Sequence, residues 1–545
     1  MKHLSNLLVF CSISLLGCQG GFTDPNDPKN DNEKDRGITI YLDKYHQTMH
    51  HFGASDGWGT EVIGGNWPES DREHISELLF SREVDIDGKP LGIGLSMWRT
   101  NIGAGSANQV NNGFAPDAWF RATECVLSPD GNYDWDHQSG ARWFLTKAKD
   151  YGVEYTTGWI TSPPYFMTQN GYTFSTSEVA GYNLQQDKYD DFAEYIAEYI
   201  THYSSLGIKI DYLSPLNEPQ WKWAYAPGEA AQEGTSASNQ EAQRLVSELD
   251  KVFKERNISS RIILPEAGEL KSLYSFNNSA PEASDQINAF WNATNTSYLG
   301  DYSAVERLMA GHSYWSNSDV NTAIGHRTIL ASQLNNYNLG FWQTEYSILG
   351  GDYLEGRNEN ELHDIDYSLW LARIIHWDLT LANATGWSFW TALNYPVWAD
   401  HKFRFGLLNW YPDSENPSNS SGEIEETKNL WALGNFSRFI RPGYRRIEIE
   451  NELFSSLEQE ANNLMVSGYV SQDQKQLVMV FVNYSKKDIE VPVLNYDEAG
   501  LRFTNDELQV YRTDYAGNLE PDRVKVDDLM IRSKSIVTVV GQLNK

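Results

Sequence analysis

Between residues 51 and 390 the chain alternates eight short apolar runs with stretches patterned as helices, and this alternation constrains the fold more than any other feature. The runs fall near 51–55, 91–99, 153–162, 210–217, 261–265, 308–314, 340–344 and 384–390. Short continuous apolar runs read as strands buried on both faces of a parallel sheet. Between them, 187–206 repeats Phe192, Ile196, Tyr199 and Ile200 at helical spacing; 239–256 and 362–381 do likewise, and 425–439 closes the series. The pattern predicts an α/β fold, a (β/α)8 TIM barrel, whose chemistry belongs at the C-terminal rim of the strands.

The flanks read differently. Lys2 precedes an apolar stretch over 7–16, shorter than the roughly 20 residues that span a bilayer, and Leu15-Leu16-Gly17-Cys18 resembles a bacterial lipobox. Residues 1–18 are therefore expected to be a lipoprotein signal, with Cys18 acylated. Residues 19–36, rich in Asp, Asn, Lys and Pro, are expected to be a disordered tether. With Cys11 removed and Cys18 lipidated, Cys125 remains alone, so no intrachain disulfide is expected. Past 441 the texture is all-β, with short strands near 464–470, 477–483, 490–494, 507–512 and 535–542 separated by turn residues. The expected domains are a barrel over 51–440 and an attached β-sandwich over 441–545, which an N-terminal strand in 37–50 joins.

Two glutamates end apolar runs at positions that suit catalysis: Glu218 in Leu-Asn-Glu-Pro-Gln and Glu345 in Trp-Gln-Thr-Glu-Tyr. Hydrolysis of a glycosidic bond with retention needs one carboxyl to donate and then accept a proton, and another to attack the anomeric carbon. Aromatic residues make up 13 % of the chain, including 19 Trp and 30 Tyr, more than a core alone demands, and sugar-ring faces pack on aromatic planes. Arg99 and Tyr314 are candidates for holding Glu345 ionised, and Asn217 for binding the sugar's 2-hydroxyl. Asp56 and Trp58 after strand one, Trp221 and Trp223 after Glu218, and His312 are candidate substrate contacts. Glu266 and Glu269 are rival carboxylates, expected to bind hydroxyls or cap a helix. The segment 394–405, with Trp398, His401 and Arg404, suits recognition of a charged or branched glycan or a folded lid. The net charge of −31 opposes nucleic acid and anionic membrane surfaces. The twelve His show no helical His-x-x-x-His pair or ligand cluster, and no Gly-rich phosphate loop or Gly-x-Ser-x-Gly occurs, so neither a metal nor another cofactor is expected.

From residue 38 to the C-terminus the sequence resembles glycoside hydrolase family 30, of the retaining (β/α)8 clan. The resemblance is carried by His51-Phe-Gly-Ala-Ser-Asp-Gly-Trp, Ser162-Pro-Pro, Leu216-Asn-Glu-Pro-Gln, the second Glu at strand seven and a β-sandwich drawn from both chain ends. It implies Glu218 as acid/base, Glu345 as nucleophile, Asn217, Arg99 and Tyr314 as their supports, and Trp390 as the floor of the central sugar subsite. The opening turn reads Gly53-Ala-Ser-Asp-Gly-Trp, where the family often has Gly-Gly-Ser or Gly-Gly-Ala, so a glucosylceramidase-like substrate is not carried over. The expectation is a monomeric, endo-acting, retaining hydrolase of a β-linked polysaccharide, leaning to β-1,6-galactan, anchored by lipid to a bacterial outer membrane. β-1,6-Glucanase, xylanase and exo-acting β-xylosidase or β-fucosidase remain open within the family. The rival from another class is a non-catalytic glycan-binding lipoprotein.

Overall fold

The structure, a computed structural model, describes residues 37–397, 403–416, 418–491, 494–496 and 502–544. The signal, Cys18 and the tether lie outside the described residues, as do Trp398 and His401.

The barrel strands are His51–Ser55, Met97–Asn101, Tyr155–Trp159, Tyr212–Ser214, a fifth in two pieces (Arg261–Ile262 and Pro265–Ala267), Leu308–His312, Gly340–Tyr346 and Gly386–Phe389. They pair in parallel in chain order, and the eighth returns to the first, Gly386 beside His51 and Phe389 beside Ala54. The two ends of the hydrogen-bonded sheet are the two pieces of the fifth strand. The sheet therefore closes on itself as a TIM barrel. The first, second and sixth strands are buried at every position, so their sequences do not alternate apolar with exposed polar residues, and the polar ones they carry, Arg99 and His312 among them, are buried with hydrogen-bond partners.

Helices Tyr189–Ser205, Asn239–Arg256 and Asp364–Thr380 occupy three of the predicted helical stretches. Asn239–Arg256 starts where Ser238 and Glu241 cap each other reciprocally and ends on Asn257 in the left-handed region. The last predicted helix starts later, at Lys428, because Glu425 and Glu426 pair with Asn409 and Leu408 in a β-hairpin.

The all-β region is one eight-stranded sheet in the order Leu494–Tyr496, Ile38–Thr48, Arg445–Asn451, Leu464–Val470, Gln476–Asn483, Ser535–Gln542, Glu507–Thr513 and Glu520–Lys525. The N-terminal strand thus lies among C-terminal ones, and its Ile38, Ile40 and Leu42 enter their core. Along Gln476–Asn483, Val478, Val480 and Val482 join the core beneath the barrel helices, while Leu477, Met479 and Phe481 join a second core on the far face. That far face is closed by loops and a two-stranded ribbon, Ile489–Glu490 with Met530–Ile531. Two strands of this eight-stranded sheet escape the sequence prediction, Arg445–Asn451 and Glu520–Lys525. Both are charge-rich and partly solvated, and the second is an edge strand, where charges block further pairing. Among the described residues no helix is long and apolar enough to cross a membrane.

Candidate active site

Six strands deliver polar side chains to one buried cluster at the C-terminal rim. Arg99 comes from the second strand, Asn217 and Glu218 from the turn after the fourth, Glu266 from the fifth, His312 from the sixth and Glu345 from the seventh. Ser55, ending the first, accepts from Arg99 Nη1 at 2.9 Å. The backbone is bent to present two of the acids: Glu218 and Glu266 sit at φ 47° and 62°, and the Glu218 N–H donates to the Glu266 carbonyl at 2.8 Å. Such left-handed conformations are uncommon outside glycine and cluster at functional sites.

Glu345 is gripped from two sides. Arg99 Nη1 donates to its Oε2 at 2.8 Å and the Tyr314 hydroxyl to its Oε1 at 3.2 Å. Arg99 Nη2 also donates to Asn217 Oδ1 at 3.3 Å, and its guanidinium lies 4.4 Å from the centroid of Trp159. His312 bridges the acids: Nδ1 meets Glu218 at 2.9 Å and Nε2 meets Glu266 at 3.0 Å, with Glu345 at 3.7 Å. One oxygen each of Glu218 and Glu345 lies, with a ring nitrogen of His312, within 4.8 Å of the others.

Burial and charge act against each other here. Burial alone would deprotonate His312, but Glu345, Glu218 and Glu266 outweigh it and push the imidazolium up to about 10. Burial raises the Glu218 carboxyl, and the His312 contact offsets only part of this. Glu266 is equally buried, yet His312, Arg99 and the Thr344 hydroxyl, which donates at 2.5 Å, hold it below the usual carboxylate range. Among the described residues Glu218, His312 and Glu345 lie close enough to hold an ion, with both ring nitrogens of His312 already at hydrogen-bond distance from carboxylates.

The aromatic wall comes from the first, third and eighth strands. Trp390 stands edge-to-face with Trp58 at 4.9 Å and with Trp159 at 5.3 Å. The Arg121 guanidinium covers Trp58, 4.1 Å from its centroid.

Three expected substrate contacts turn their polar atoms to the protein: His312, fully buried with both ring nitrogens on glutamates, Asp56 and Trp223. Asp56 spends its carboxylate on Thr100 Oγ1 at 2.8 Å, Asn101 N–H at 3.0 Å and Trp159 Nε1 at 3.4 Å. Burial raises it to about 6 against those bonds; it orients Trp159 rather than facing the opening. Trp223 donates its indole N–H to the Glu218 carbonyl at 3.2 Å, and a Cβ on Gly234 would meet its ring at 2.6 Å, so it braces the loop. Trp221 instead meets Trp315 edge-on at 5.1 Å. Glu269 faces away from the cluster, accepting from Ser272 and Asn277. Arg404 donates to the Gly350 carbonyl at 3.5 Å.

Sequence reading gave Glu266 only a generic part and missed Trp159 and Trp315. The one signal for Glu266 was its place at the end of a strand, the same signal that singled out Glu218 and Glu345.

The profile of O-glycosyl hydrolase family 30 matches residues 35–401. The chain belongs to that family. A conserved exported protein from Bacteroides fragilis of solved structure is 34 % identical, covering 93 % of this chain and 100 % of that one, with a TM-score of 0.83. The structure of an endo-β-1,6-glucanase superposes at a TM-score of 0.62, covering 92 % of this chain and 94 % of that one at 16 % identity, a likeness of fold. An exo-β-1,6-galactobiohydrolase of Bifidobacterium longum subsp. longum is 23 % identical over 233 residues, 37 % of this chain and 14 % of that protein. The chain thus spans a small part of that curated relative. The family match places residues 35–401 among the O-glycosyl hydrolases.

Proposed function

We propose that this family 30 enzyme cleaves β-1,6-linked galactan within the chain by double displacement, with retention. Glu345 attacks the anomeric carbon while Glu218 gives its proton to the departing oxygen. Water, deprotonated by Glu218, then breaks the ester between sugar and Glu345. The observation that carries the reading is the approach of the two carboxylates to within 4.8 Å. Direct attack needs about 5 Å, whereas an inverting pair stands about 6.5–9.5 Å apart to admit a water. The environments support the division of labour: burial raises Glu218, the proton donor, while Arg99 and Tyr314 hold the attacking oxygens of Glu345. Asn217 takes the 2-hydroxyl, and Trp390 forms the floor of the central subsite.

The β-1,6 linkage occurs in the names of both the galactobiohydrolase and the glucanase, so it is better supported than the sugar. The test is release of reducing ends from β-1,6-galactan, β-1,6-glucan and xylan, with the anomer of the first product read by NMR. Galactan should be cleaved best and release the β-anomer first. Initial α-anomer would end the double-displacement reading, and cleavage confined to glucan or xylan would end the galactan one. On the lipobox reading Cys18 carries an acyl chain, and the enzyme acts as a monomer tethered to a bacterial outer membrane. Incorporation of a labelled fatty acid that persists in Cys18→Ser would refute the anchor.

A further inference from the structure

We propose that Trp315, with Trp221, forms the platform for the first sugar on the leaving-group side, so that the enzyme selects for a pyranose ring beyond the bond it breaks. The inference rests on the hydrolase reading above and adds to it Trp315, which sequence reading did not find, beside Trp221, which it did.

Trp315 is 54 % exposed, whereas Trp58, Trp159 and Trp390 are all under 10 %. Its backbone sits at φ 52°, a region sterically poor for a bulky residue. The loop beneath it gives no room to relax. Ser316 and Asn317 are buried; the Ser316 hydroxyl accepts from Leu270 N–H at 3.2 Å and donates to the Tyr314 carbonyl at 3.0 Å. The Asn317 amide donates to the Ser313 carbonyl at 2.8 Å and accepts from Arg327 at 2.9 Å. Buried hydrogen bonds therefore hold an indole outward in a conformation it would not choose, and strain of this kind is retained where it serves a site.

The position identifies the ligand. Non-glycine residues with positive φ include Glu218, Trp223, Glu266 and Trp315, all at or just beyond the ends of the fourth, fifth and sixth strands. That is the side from which the acid Glu218 works, opposite the wall of Trp58 and Trp390 on strands one and eight. Trp315 meets Trp221 at 5.1 Å and 71° and Tyr314 at 5.8 Å, so two indoles form a corner beside the residue that holds Glu345. Gly268 keeps the corner close to the acid. A Cβ there would lie 2.7 Å from Trp221 Nε1, 2.6 Å from Gln220 Nε2 and 2.8 Å from Glu218 Oε1. The Trp221 indole N–H and the Glu218 carboxyl thus converge on the space above one glycine. A ring packed on this corner presents its glycosidic oxygen to Glu218, its C–H face against the indole.

The experiment compares Trp315→Ala with wild type on two substrates that share a glycone. One is the β-1,6-linked galacto-oligosaccharide that wild type cleaves; the other is the corresponding glycosyl fluoride, whose leaving group is too small to touch Trp315. The expected result is a loss of roughly tenfold in kcat/KM on the oligosaccharide, with fluoride hydrolysis within about twofold of wild type. Trp315→Phe, which keeps a stacking face, should recover most of the loss. Equal losses on both substrates, or no loss on the oligosaccharide, would overturn the proposal. Failure of wild type on both substrates would instead overturn the hydrolase reading on which it rests.

Discussion

The two ends of the barrel each bury histidine, and they hold it in opposite states. At the C-terminal rim His312 lies between Glu218 and Glu266 and is pushed up to about 10. At the N-terminal end His50 stacks on Tyr155 at 4.0 Å, meets the Tyr212 hydroxyl at 2.8 Å and shares a 2.9 Å contact between Nδ1 atoms with His51. Burial lowers His50 to about 4, and burial with the neighbouring His50 takes His51 well below its ordinary value. Burial is common to both ends; carboxylates hydrogen-bond the ring at the rim, whereas at the other end Glu306 raises His50 too little to offset its burial. A closed barrel by itself makes a neutral interior, and the rim holds charge because three acids and Arg99 are arranged there to keep it.

The sharpest break of that contrast is removal of Glu345. Glu345→Gln should lower kcat on the order of 10⁴-fold on every substrate, activated or not, since no other side chain is placed to attack. Measurable turnover of an activated aryl glycoside by this variant would contradict the assignment. Glu218→Ala should cost about 10²–10⁴-fold on polysaccharide, with formation of the glycosyl-enzyme from an activated aryl glycoside largely spared. An equal loss of pre-steady-state burst rate would transfer the acid role elsewhere.

Making the rim resemble the other end is a milder test. Glu266→Gln removes one anion from His312, so the ring should titrate at lower pH than in wild type, read from ¹⁵N shifts of labelled imidazole. Activity should fall roughly 10-fold, through Glu218, since Glu266 positions and does not touch substrate. An unmoved imidazole titration would mean that Glu345 and Glu218 suffice to hold the charge.

The smallest effects concern stability alone. The folded-state pKa of His312 is raised, so its contribution is full below about 6.5 and is lost as pH rises through about 10. His50 is lowered, so the unfolded chain binds more protons between about 6.5 and 4, and stability falls as pH falls across that window. His50→Gln should flatten the decline of Tm between pH 6.5 and 4 while leaving kcat within about twofold. A slope identical to wild type would mean that other groups carry the acid sensitivity.

Much of this was legible in the chain. Strands buried on both faces are dominated by apolar or small residues, so all eight runs could be placed, and Glu218 and Glu345 stand out as carboxylates ending such runs. The same rule fails for Arg445–Asn451, whose half-solvated strand tolerates charge at alternate positions. It also cannot separate Glu266 from Glu269, three residues apart: one is fully buried against His312 and the other bonds Ser272 on the outside.

The sequence by itself determined the barrel, its closing strand order and the two acids at its rim, because periodicity and strand ends are local properties. Only the tertiary structure supplied the surroundings of the two acids: burial that raises Glu218, and the contacts of His312 and Arg99. His312 is 94 positions from Glu218, and Arg99 is 246 from Glu345; electrostatic coupling depends on separation in space, which local sequence patterning does not encode. It likewise decided that Trp223 braces a loop while Trp315 faces solvent, since the first packs on Gly234 and the second is held outward by Ser316 and Asn317, which Leu270 and Arg327 fix from other elements.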